Sequence, residues 1–276
     1  MKWQYHKARA FYLLRASRPC TLVAGPAFQT AMDAIEIELT TRCNLKCLNC
    51  DASCSQAPDG GIMTVRQVEK FVQESITMDK RWAHIHLTGG EALLHPDIFE
   101  ILEVMDNYRR ERSPDTVVEL LTNGYGTVVN NRLRKVPGNI KVINSRKTNS
   151  RRQGQFDAFN LAPCDQWYNF MTDYVNGCWV TQIMGCGLNR YGYYPCIVAG
   201  AIDRVFGFDI GIKQLPVQRS AFDEQKRRLC RYCGHFPPGS FIVPELRVGV
   251  QGEPRSREWV DSYKNYHEHP PALTVY

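Results

Sequence analysis

Residues 35–39 read Ile-Glu-Ile-Glu-Leu, an alternation of apolar and acidic side chains that marks a half-buried strand. Thr64, with Gln67 three residues on, is a capping-box helix start, and Val65, Val68, Phe71, Val72 and Ile76 then recur at helical spacing. A second strand is predicted over 82–87, running straight into Thr88, Gly89, Gly90 and Glu91. Pro96 lies near the next helix start, whose apolar face is Ile98, Ile101, Leu102, Met105 and Tyr108. A β-branched strand is predicted over 116–122, another over 140–144 and a weaker one near 156–161, with no helix evident between 144 and 156. Repeated strand–helix units imply an α/β fold with a parallel sheet and right-handed crossovers. In barrels of this sort reactive groups gather at the C-terminal strand ends. The loop after residue 39, Gly89 to Glu91, Thr122 with Asn123, and Asn144 with Ser145 all fall there.

The 276 residues are 43% hydrophobic and 22% charged, enough apolar content for a sizeable core. The longest uncharged runs, 19–32 and 174–189, are broken by Pro, Gly and polar residues, so no membrane span is expected. The apolar stretch Phe11 to Leu14 is stopped by Arg15, too short for a signal peptide, so a soluble, cytoplasmic protein is expected. The net charge of +6 is mild. Its densest run, Arg146 and Lys147 through Arg151 and Arg152, suits a solvated loop, or otherwise a phosphate or nucleic-acid contact.

Cysteine changes the picture. Eleven thiols in a chain with no export signal do not form a disulfide framework, and they cluster: Cys43, Cys47, Cys50 and Cys54, then Cys178, Cys186 and Cys196, then Cys230 and Cys233. Cys43, Cys47 and Cys50, spaced x3 and x2 on a loop after a strand, can hold three irons of a cubane and leave the fourth without a protein ligand. A zinc site closed through Cys54 is the alternative. About forty residues on, Gly89 and Gly90 allow close backbone approach to a ligand, and Glu91 can bind an amino group.

With those two motifs at two successive strand ends, the sequence resembles the radical S-adenosylmethionine (SAM) superfamily. The resemblance implies a partial (β/α) barrel and a [4Fe–4S] cluster on Cys43, Cys47 and Cys50. SAM would chelate the open iron, and Gly89, Gly90 and Glu91 would hold its amino group. It also implies an external one-electron donor such as flavodoxin or ferredoxin, and reductive cleavage to a 5′-deoxyadenosyl radical. Asn49 departs from the aromatic or apolar residue usual before the third cysteine, where the adenine is contacted. Thr122, Asn123 and Ser145 are ribose or carboxylate contacts, or else plain strand-end turn residues.

The later cysteines follow a different pattern. Residues 178–196 suggest a hairpin turning near Tyr191 and Gly192, and Cys230 and Cys233 form a CxxC. This resembles the twitch (shortened SPASM) domain, which implies a second, auxiliary [4Fe–4S] cluster on Cys196, Cys230, Cys233 and either Cys178 or Cys186. Structural zinc is the alternative. The expected organisation is an extension over 1–33, the partial barrel over 34–165, the auxiliary domain over 166–240 and a tail over 241–276. In the tail, Trp259, Tyr263 and Tyr266 suggest a closing helix whose aromatics pack in a core. The reaction expected is oxidation or epimerisation of a small polar metabolite such as a sugar or aminocyclitol. Modification of a peptide, protein or nucleoside is the alternative, and a non-enzymatic zinc module a third. Cys164 is a candidate hydrogen donor for epimerisation, or a buried inert thiol.

Overall fold

The computed structural model describes residues 2–153, 156, 158–236 and 252–276. Six strands form one sheet in the order β4-β3-β2-β1-β5-β6. They are β1 (Ala34–Glu38), β2 (His84–Thr88), β3 (Val117–Thr122), β4 (Lys141–Asn144), β5 (Cys186–Asn189) and β6 (Gly192–Tyr194). β1 to β4 are parallel, β5 joins β1 in parallel, and β6 returns antiparallel to β5. The hairpin expected around Tyr191 and Gly192 therefore exists, and it continues the same sheet. The helices are α1 (Lys2–Arg15), α2 (Arg18–Ala24), α3 (Val65–Thr77), α4 (Ile98–Arg112), α5 (Thr127–Leu133), α6 (Trp179–Ile183), α7 (Ile197–Phe206), α8 (Asp223–Leu229) and α9 (Arg257–Glu268). None of the described helices is long and apolar enough to cross a membrane.

Local chemistry accounts for the helix boundaries. Thr64 caps α3 through the Gln67 amide, and Gln67 returns the bond, completing the expected capping box. α4 buries Ile98, Ile101, Leu102, Met105 and Tyr108, with Glu100 in its first turn and three arginines in its last, each complementing the helix dipole. α9 buries Trp259, Tyr263 and Tyr266, so these aromatics pack in a core as expected. The weak strand expected near 156–161 is not found among the described residues there. Phe159 and Asn160 instead turn, their carbonyls accepting from the amides of Gly234 and Ser256.

One face of the sheet packs Ile35, Ile37, Ile85, Leu87, Val118 and Leu120 against α3 and α4. A second apolar cluster gathers α7, α9 and several cysteines. β1 was read as half-buried, but all five of its residues are buried. Glu36 and Glu38 thus lie on the opposite face, under residues of α6 and α7. Burial, joined by the charges of Asp51 and Glu38, pushes Glu36 up to about 8. Burial likewise pushes Glu38 up to about 8, against the pull of Arg204. Because the folded state holds these two protons more tightly than the unfolded chain, their stabilising contribution is complete at acidic pH and fades as the pH rises toward 8. The double variant Glu36→Gln/Glu38→Gln is expected to melt roughly 5 °C above the parent at pH 8.5, with little difference at pH 5; thermal unfolding at the two pH values checks it.

Candidate functional site

The chain leaves β1 through Thr40, Thr41 and Arg42 and enters the loop of Cys43, Cys47 and Cys50. All eleven cysteines are free thiols. The Cys43 sulfur accepts from the Leu45 amide at 3.4 Å, and the Cys47 sulfur from Gln153 Nε2 at 3.5 Å. The Cys54 thiol hydrogen-bonds the Cys50 sulfur. The amides of Lys46 and Leu48 donate to the carbonyls of Ser150 and Arg151, so part of the basic segment lies along the loop. From α7, buried Arg204 donates to the Ala52 and Ala57 carbonyls and fixes the loop's far side.

Asn49 has a left-handed backbone (φ 56°), which asparagine tolerates better than the bulkier residues usual there. Its amide donates to Glu253 and its side-chain nitrogen to the Gly252 carbonyl, both at 2.9 Å. The residue is buried beneath this C-terminal segment, and its Oδ1 has no hydrogen-bond partner.

The paired glycines meet backbone of this chain. A Cβ on Gly89 would lie 2.4 Å from the Thr40 carbonyl, and one on Gly90 2.6 Å from that of Arg42 and 2.9 Å from Cys43 Cβ. The Gly90 and Glu91 amides donate to those same carbonyls at 2.7 and 2.8 Å. The end of β2 is thus stitched to the cysteine loop, and only glycine fits. Glu91, expected to hold an amino group with the two glycines, is buried and already takes bonds from this chain. It accepts from Thr122 Oγ1 at 2.8 Å, from the Leu93 amide at 3.1 Å and from the Asn123 amide at 2.7 Å. Burial raises its pKa above the ordinary value although these bonds oppose the rise. Thr122 and Asn123 are therefore clasped to the Gly-Gly-Glu turn, and Ser145 caps the Thr122 carbonyl through its hydroxyl.

Cys178, Cys196, Cys230 and Cys233, all buried, line one small cavity with Phe236. Cys186 does not. It opens β5 opposite Ile35, on the core face, and its thiol donates to the Ala31 carbonyl. Among the described residues, the group of three or more His, Cys, Asp or Glu whose ligand atoms all lie within 4.8 Å of one another is His84, His86 and Glu119, and no trio of thiols meets that distance.

Between the two thiol groups lies a cavity of about 230 Å³. Asp51 and Ala52 follow Cys50, Trp179 and Val180 follow Cys178, Ile197 and Val198 follow Cys196, and His235 lies two beyond Cys233; all line it, with Thr88, Gly89 and Met184. Glu36 and Glu38 form its floor from β1. His235 Nε2 stands 3.7 Å from the Asp51 carboxylate. Burial pushes Asp51 up, but His235 and Lys147 outweigh it and hold the carboxyl below its ordinary value. Cys164 is elsewhere, half-buried in a surface cavity with Arg231, so it does not face this space as a hydrogen donor would. Sequence reasoning missed Glu36, Glu38, Asp51 and His235. The two acids were visible in the alternation of β1, but as a polar face rather than as lining; Asp51 and His235 carried no signal beyond adjacency to cysteines.

Residues 37–136 match the model of the radical SAM superfamily. A GTP 3′,8-cyclase of Nautilia profundicola is 32% identical over 100 residues, 36% of this chain and 30% of that protein. An AdoMet-dependent heme synthase of Methanosarcina barkeri is 35% identical over 75 residues, 27% of this chain and 21% of that protein. The chain thus matches less than a third of the length of these relatives. A solved structure of BtrN in complex with AdoMet and 2-DOIA overlays at a TM-score of 0.44 with 14% identity, covering 78% of this chain and 98% of that one. Residues 37–136 thus carry a radical SAM domain.

Proposed function

We propose that the protein is a radical SAM enzyme that oxidises a small, amine-bearing polyol such as an aminocyclitol or amino sugar. The observation that carries this reading is the acid-lined cavity set between the two thiol groups. Cys43, Cys47 and Cys50 hold the first cluster, and Cys178, Cys196, Cys230 and Cys233 hold an auxiliary one in a twitch-like arrangement. When bound, these groups supply a 5′-deoxyadenosyl radical, made with an electron from an external donor, and a sink for the second electron that leaves the substrate.

The chain's own residues choose the substrate. Among the described residues, Glu36, Glu38 and Asp51 line the cavity with no Lys or Arg, which favours a cation and opposes a triphosphate. The substrate named for the GTP cyclases is therefore not the one proposed here. A protonated amine seated against Glu36 and Glu38 favours their ionised forms, the displaced protons leaving to solvent, and so provides a carboxylate as base for the hydroxyl proton. With the cofactors bound, oxidation at a carbinol carbon would balance as one hydrogen atom to the 5′-deoxyadenosyl radical, one proton to a carboxylate and one electron to the auxiliary cluster, leaving a carbonyl. With Cys164 lining another cavity, oxidation is favoured over epimerisation.

Two measurements test this. Anaerobic reconstitution with iron and sulfide is expected to give about 8 Fe per chain; Cys178→Ala loses about half, and Cys186→Ala keeps it all. Zinc without sulfide overturns the cluster assignment. Deuterated aminocyclitols and amino sugars should pass label to 5′-deoxyadenosine with a carbonyl product detected by mass spectrometry. Glu38→Gln should raise KM about tenfold or more while uncoupled SAM cleavage persists. Label transfer without an oxidised product would sink the proposal.

A further inference from the structure

On the same sheet face as Glu36, but displaced from the cysteine loop toward the strands' starts, polar residues form a rung. Glu36, His86, Glu119 and Lys141 are register partners across β1, β2, β3 and β4. His84 lies two residues before His86 on the same face of β2. The two imidazoles stack at 5.7 Å with planes 6° apart. Their Nδ1 atoms stand 3.5 Å (His84) and 2.7 Å (His86) from Oε2 of Glu119. The other carboxylate oxygen is held by Lys141 Nζ at 2.6 Å.

An ordinary ion-pair network does not account for all of this. Lys141 alone neutralises Glu119. Burial pushes the His86 pKa below its ordinary value although Glu119 opposes the shift. The His86 Nδ1 is buried and, despite the short approach, makes no hydrogen bond. An ion with bonds of about 2.1 Å sets neighbouring ligand atoms about 3.0–3.4 Å apart, a range the two observed separations bracket. Two imidazoles and one carboxylate on one side of an ion are also a recurring set for first-row divalent metals. The lysine on the second oxygen is the outer partner such a carboxylate needs.

We propose that His84, His86 and Glu119 form a site for a first-row divalent metal ion, distinct from both thiol groups. His84 and Lys141 are solvent-exposed on their outer sides, so water reaches the remaining coordination positions.

The probe is Mn2+, a hard ion that avoids thiolates, with Co2+ as the tighter-binding second probe. Each is titrated into protein whose thiol groups are already filled with iron and sulfide. Loss of the free Mn2+ paramagnetic resonance signal should report one saturable site per chain. His84→Ala, at an exposed position, and His86→Ala should each weaken it at least about tenfold, and Lys141→Met, which removes the outer partner of Glu119, should weaken it about tenfold as well. Melting curves confirm that the variants fold. Absence of saturable binding of either ion up to millimolar concentration overturns the proposal, as does equal binding by the parent and both histidine variants.

Discussion

The structure depends on the closeness with which the end of β2 is laid against the loop leaving β1. Two amides, of Gly90 and Glu91, donate to the carbonyls of Thr40 and Arg42, and no side chain fits in the gap. This contact sets the direction in which Cys43 leaves the sheet. Through Glu91 it also reaches Thr122 and Asn123 at the end of β3. Three successive strand ends are therefore one rigid rim. The cysteine loop owes its shape to that rim and to Arg204, which grips it from the other side.

The second thiol group is near the first because β5 pairs with β1. That pairing continues the sheet, and the helix after the hairpin, α7, then crosses the acidic face of β1. A space walled on one side by carboxylates and on the other by Trp179, Val180, Ile197 and Val198 results directly from this topology. Burying two carboxylates raises their proton affinity, and that cost is held in place by the packing of α7 and α9.

Much of this was legible in the residues. The capping box at Thr64 and the apolar stripe of α4 are short-range signals, and each emerged as read. What escaped depends on distance along the chain. Spacing alone left Cys178 and Cys186 equal; period-2 alternation in β5 puts Cys186 on the core face with Leu188, and only the pairing with β1 says which face that is. The strand expected near 156–161 failed because carbonyls there are claimed by Gly234 and Ser256, tens of residues away. Glu91 was legible as functional chemistry, but not as a clasp, because Thr122 and Asn123 are its partners only once β3 lies beside β2.

Glu253 accepts from the Asn49 amide across 204 residues of sequence, and Gln56 and Asn160 donate to the same carboxylate. The cysteine loop therefore cannot be sealed until the ribosome has delivered that glutamate and the segment has docked. That closure waits on a contact two hundred residues distant in sequence, the kind a folding chain is slowest to find.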